Sequence, residues 1–175
     1  MPDSKYSVYM PCSRSWVNPF DIQPTDKISI PDIARKLSRI YRFGGASPIT
    51  VAQHCIMVAE AVEEEHKPYA LLHDAYEALT FDCPRPIKHV IAFEFGYDAI
   101  SYDEMEDRAI RRLFPMFGLM PGIPTEVLDA DDLACQTEYD AMLAGGYYGV
   151  DLMNPDQAFH AFITAWAVCG RGVAV

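Results

Sequence analysis

The chain has 175 residues, half of them hydrophobic, which is enough to bury one sizeable core and short for two, so a single domain over residues 1–175 is expected. Its 14 Lys+Arg against 25 Asp+Glu give a formal charge of -11, which argues against a broad, salt-dependent grip on a nucleic-acid polymer and requires local cations for any phosphorylated small molecule. The five cysteines are odd in number, widely spaced and never arranged as CxxC, and no apolar run or N-terminal pattern suggests a membrane span or signal peptide. A soluble, cytoplasmic protein is therefore expected.

Residues 1–30 carry Pro2, Pro11, Pro19 and Pro24, with Pro31 just beyond and aromatics between them, and read as an irregular but anchored arm held down by Trp16, Val17, Phe20 and Ile22. Pro31 then opens a helix that runs through "DIARKLSRIYRF" to Gly44-Gly45, with Arg42 in its last turn. A second helix is expected from Ser47-Pro48 through "ITVAQHCIMVAEAVEEE" and a third in "YALLHDAYEAL", which "FDCPRP" ends. Helices follow in "IKHVIAFEF", "YDEMEDRAIRRLFPMF" and "EVLDADDLACQTEYDAML". The last helix, "AFHAFITAWAV", has its cap written in Asn154-Pro155 and Gln157. Period-two alternation is scarce, so the fold class expected is all-α.

On an ideal third helix His73, Asp74 and Glu77 fall within one third of the circumference, with Leu71, Leu72, Ala75, Tyr76 and Leu79 on the rest. A merely solvated acidic face would look the same. On the second helix, however, His54 projects inward with Val51, Val58, Ala61 and Val62. On the later helix Asp131 shares its face with Val127, Leu128, Ala134 and Cys135, and with Glu138 one face-repeat on. An inward carboxylate needs a hydrogen-bond partner or a metal. Two imidazoles and two carboxylates without a thiolate suit Zn, Mn, Fe, Co or Ni, and such an ion supports hydrolysis by lowering the pKa of water and polarising a phosphoryl oxygen.

The order H…HD…D on successive helices resembles the HD-domain phosphohydrolase superfamily. The longer string "HDAYEALTFDCPRPIK" is similar to its 5′-deoxynucleotidase and deoxynucleoside triphosphohydrolase branch, and "RFGG", "TVAQHC" and "VLDAD" extend the likeness over roughly residues 30–140. The resemblance implies a compact helical HD bundle in which His54, His73, Asp74 and Asp131 bind the metal, with Asp74 also at the catalytic centre. It makes Glu77 the residue that orients or deprotonates the attacking water, or protonates the leaving oxygen. Asp82 meets the sugar 3′ hydroxyl, and Arg42 and Lys88 meet the phosphate. Phe43 stands where well-known members have Trp, so its ring bears on sugar or base discrimination.

The implied substrate is a small-molecule deoxynucleotide, either a triphosphate, with dATP suggested by the likeness of "SWVNPFD" to small phage and bacterial members, or a monophosphate. A second ion such as Mg would accompany the phosphates, and a dimer or hexamer would form. Two rivals stay open: a cyclic or signalling nucleotide phosphodiesterase on the same scaffold, and a non-catalytic nucleotide- or metal-binding sensor module. Arg85 and His89 read as a solvated turn, Cys55, Cys83 and Cys135 as packing residues, and Phe159, Phe162 and Trp166 as core or subunit contact.

Overall fold

A computed structural model describes residues 6–95, 98–147 and 150–170. The described chain is mostly helical, with two small antiparallel hairpins. The first pairs β1 (Val8–Met10) with β2 (Ser15–Val17) in the register Val8↔Val17, Tyr9↔Trp16 and Met10↔Ser15. The arm is thus partly regular. Met10, Val17 and Ile22 are buried, whereas Trp16, expected to anchor it, is 49% exposed and packs against Tyr9 with ring centroids 5.2 Å apart.

Helix α1 (Ile30–Leu37) starts at a capping box: Ser29 accepts from Asp32 N–H, and the Asp32 carboxylate accepts from Ser29 N–H. It stops at Leu37, short of the expected Phe43, because the chain turns to form an antiparallel bridge between Tyr41 and Thr50. Arg42 N–H donates to Ile49 C=O at 2.9 Å and Val51 N–H to Ile40 C=O at 2.9 Å. Arg42 therefore lies in a loop rather than in a helix. Phe43, Gly44 and Gly45 follow it as a 3-10 turn with φ of 56°, 63° and 90°, a run of left-handed residues that explains the glycines and leaves Phe43 strained.

Helix α2 (Val51–Glu60) is capped by Thr50 rather than opened at Ser47-Pro48, and almost all of it is buried. The expected third helix is divided. Helix α3 (Lys67–Leu72) ends at His73, and a separate 3-10 turn covers Ala75–Ala78. The His73 ring supplies one cause, since its Nδ1–H donates to Ala70 C=O at 2.7 Å and takes up a last-turn carbonyl that a continuing helix would use.

Pro84 caps a one-turn helix, α4 (Arg85–Lys88), and "IKHVIAFEF" is not a helix: β3 (Ala92–Phe95) pairs with β4 (Asp98–Ser101). The Phe-Glu-Phe alternation at 93–95 is the strand signal there, while the turn around Gly96 lies outside the described residues. Helix α5 (Tyr102–Met116), α6 (Thr125–Leu143) and α7 (Pro155–Val168) fall where expected, α7 with the Asn154–Gln157 capping box. Phe162 and Trp166 are buried within the chain, and the cluster of buried apolar side chains runs from Met10 to Trp166. Helix α2 packs against α3, α6 and α7, which brings three different helices to one place.

Candidate metal centre and its cleft

His54 sits on the buried face of α2, fully enclosed, between two carboxylates of α6. Its Nδ1–H donates to Glu138 Oε1 at 2.7 Å, and its Nε2 faces Asp131 Oδ1 at 2.9 Å and Asp74 Oδ2 at 3.9 Å. The second imidazole comes from the end of α3. Because His73 Nδ1 gives its hydrogen to a carbonyl, Nε2 is the atom turned to the site, 3.4 Å from Asp74 Oδ2 and 3.6 Å from Asp131 Oδ1. The two rings lie with centroids 5.3 Å apart.

His73 Nε2 and Asp74 Oδ2 are both buried without a hydrogen-bond partner. Two acceptors facing each other at that range are satisfied by a shared proton or by a cation. Without a cation, burial works against a charged His73 ring, but Asp74 prevails and holds a proton on it well above the ordinary histidine value. A divalent ion held there by His73 and Asp74 would take the place of that proton. The His54, His73 and Asp74 ligand atoms lie within 4.8 Å of one another, a group that could hold a metal ion. Asp131 reaches both imidazoles. Burial would raise its pKa, but the hydrogen bond to His54 and the charge of the nearby His73 ring hold it far below the usual carboxylate range.

Above this floor opens a cleft of about 960 Å³. Arg42, Phe43, His73, Asp74, Glu77, Asp82, Lys88 and Asp131 all line it, so the residues singled out in the sequence come together, with His54 beneath them. A smaller cleft of about 530 Å³, between the arm and α5, contains none of them.

Glu77 is 3% exposed, and its Oε2 has no hydrogen-bond partner. Burial, then the Asp74 and Asp82 carboxylates, push its pKa well up, against Lys88 and Arg42. Arg42 is buried too. Desolvation opposes its charge, but Asp74, Glu138 and Glu77 outweigh it, so the guanidinium is held charged. Its Nε–H donates to Glu138 Oε2 at 3.0 Å, Nη1 lies 3.7 Å from Asp74, and its carbon is 5.4 Å from the Phe43 ring centroid.

Asp82 Oδ2 accepts from Gly44 N–H at 3.2 Å, tying the loop after the Ala75–Ala78 turn to the Arg42–Gly45 turn. Lys88 is paired through two contacts of 2.9 and 3.1 Å to Glu106 and lies over the Tyr102 ring. Arg85 is an exposed partner of Asp132 at the rim. Burial pushes the Cys55 thiol up to about 11, as suits a packing residue.

Glu138 and Glu106 were given no role in the sequence reading. Each had a signal: Glu138 shares the inward face of Asp131, and Glu106 falls on the apolar stripe of Tyr102, Ala109 and Leu113.

No described helix is long and apolar enough to cross a membrane. No family model matches the chain. Over 115 residues it is 36% identical to YfdR, an uncharacterized protein of Escherichia coli (strain K12), a stretch covering 65% of this chain and 60% of that protein. The chain is thus similar to a relative of which it spans less than two thirds.

Proposed function

We propose that this chain is an HD-domain metallophosphohydrolase that removes phosphate or triphosphate from a deoxynucleotide. The observation that carries the reading is the cleft floor, where His54, His73, Asp74 and Asp131 meet and two ligand atoms are buried without partners. Two imidazoles and two carboxylates fit a divalent ion of the Zn, Co, Mn, Fe or Ni group. When bound, such an ion lowers the pKa of water and polarises a phosphoryl oxygen.

The side chains around it supply binding and proton transfer. Arg42, kept charged at the cleft wall, offers a planar fork to phosphoryl oxygens, and Lys88 adds a second cation. Glu77, whose proton is stabilised by burial and by neighbouring carboxylates, is suited to pass it to the leaving 5′ oxygen. Asp82 keeps an oxygen for a sugar hydroxyl while the other holds Gly44. Carboxylates outnumber cations along the cleft, which supports entry of the phosphates with a divalent ion such as Mg.

The test is product analysis with metal-stripped protein resupplied with Mn, Co or Zn, over a panel of deoxynucleoside mono- and triphosphates and cyclic nucleotides. Metal-dependent release of phosphate or triphosphate, lost in Asp131→Ala, is expected, and the panel reads leaving group and base together. Turnover of cyclic nucleotides alone would transfer the site to phosphodiester chemistry. Binding without turnover of any nucleotide would make it a sensor module.

A further inference from the structure

Glu138 is a buried charge that the proposed hydrolysis does not use. Its side chain is wholly enclosed, and both oxygens are occupied: Oε1 accepts from His54 Nδ1 at 2.7 Å and Oε2 from Arg42 Nε at 3.0 Å. Burying a carboxylate is costly unless its partners are fixed, so the geometry of those partners is where its consequence lies. With the Nδ1 proton of His54 committed to Glu138, Nε2, the atom beside Asp131 and Asp74, is the nitrogen left to exchange its hydrogen for a metal ion. With the Nε–H of Arg42 committed too, one edge of the guanidinium is fixed and Nη1 is left beside Asp74, toward the cleft. Asp131 and Glu138 are seven residues apart on α6, two turns along one face, so a single helix supplies a ligand and the group that orients another ligand.

We infer that Glu138 is a positioning residue: one carboxylate sets the tautomer and ring direction of His54 for the metal and the edge of Arg42 for the phosphate. The inference rests on the metal-centre reading.

Glu138→Gln preserves volume, but its amide oxygen can no longer serve both donors as a carboxylate does. Calorimetric titration of the metal-stripped full chain with Zn²⁺ should show affinity reduced about 10- to 100-fold, while thermal unfolding of the stripped protein changes little. Zinc affinity equal to wild type, with or without a lower unfolding midpoint, would overturn the inference and leave the metal centre standing. A measurement on the wild type does not depend on how the variant folds. In zinc-loaded protein with ¹⁵N-labelled histidine, His54 should carry its proton on Nδ1 and show a metal-shifted Nε2. A proton on Nε2 would overturn the assignment. If the wild type binds no Zn, Mn or Co, the metal reading itself fails and takes the inference with it.

Discussion

Asp32 and Asp74 are both carboxylates removed from water, and they are treated in opposite ways. Asp32, fully buried at the start of α1, accepts from Cys12 N–H at 2.6 Å, Ser13 N–H at 3.1 Å, Ser29 N–H at 3.1 Å and Ser29 Oγ–H at 2.6 Å, joining the arm to the helix. Asp74, at the cleft floor, has an oxygen without a hydrogen-bond partner, next to a histidine nitrogen in the same condition. A buried carboxylate surrounded by donors is a structural joint. One facing other acceptors is half of a site that a cation completes.

The largest effect that would test this contrast is expected at Asp74. Asp74→Asn should reduce metal-dependent turnover by roughly a thousandfold or more, since it removes a ligand charge at the reacting centre. Stability of the metal-stripped protein should change by no more than about 1 kcal/mol, because relief of the desolvation of the carboxylate offsets the loss of its long contacts to His73 and Arg42. Urea unfolding and a phosphate-release assay on the same preparation check both halves. A variant that unfolds several kcal/mol more easily would make Asp74 a structural joint as well.

Asp32 should give the converse. Asp32→Ala leaves the buried N–H of Ser29 and the half-buried N–H groups of Cys12 and Ser13 without their acceptor and should cost about 3 kcal/mol in urea unfolding, with turnover per folded molecule unchanged. The acid limb has the same origin. Burial pushes the Asp32 pKa up, but the Ser29 and Ser13 side chains and the Cys12 and Ser29 backbone hold it below the usual value. Its folded pKa is therefore depressed, and its stabilisation is complete above the unfolded value of about 3.9 and lost as pH falls through the folded one. Asp32→Asn should flatten that acid slope. An unchanged slope would assign acid unfolding to other carboxylates.

The same two regions show what was legible in the sequence. The joint was half written: Pro31 marked the start of α1, but nothing local tells that Asp32 also accepts from residues nineteen and twenty positions earlier. At the site, residue types and order were enough to nominate the side chains that line the cleft, although the secondary structure around them was misread in two places. The helical stripe of His73, Asp74 and Glu77 is a helix end followed by a 3-10 turn, and Arg42 follows a bridge to Thr50. Both departures depend on bonds that propensity does not encode, the His73 ring to Ala70 and the pairing of residues 40–42 with 49–51. For Glu106 and Glu138 the inward face is legible, but their partners Lys88, His54 and Arg42 are distant in the chain and required tertiary structure.

The smallest effect concerns backbone strain, which occurs once in each region: Arg14 in the exposed turn of the first hairpin and Phe43 at the cleft, with φ of 51° and 56°. A left-handed residue with a side chain costs about 1 kcal/mol, and glycine returns much of that relief as unfolded-state entropy. Arg14→Gly and Phe43→Gly should therefore each shift stability by only about 0.5 kcal/mol. Their effects on turnover should separate. Arg14 borders no ligand in the proposed site, so its variant should match wild type. Phe43 lies beside Arg42 and stacks edge-on with Tyr139, so losing the ring should raise KM about two- to fivefold with kcat nearly kept. Equal kinetics for the two variants would mean that the strain at Phe43, like that at Arg14, belongs to the turn alone and that the ring does not touch the substrate.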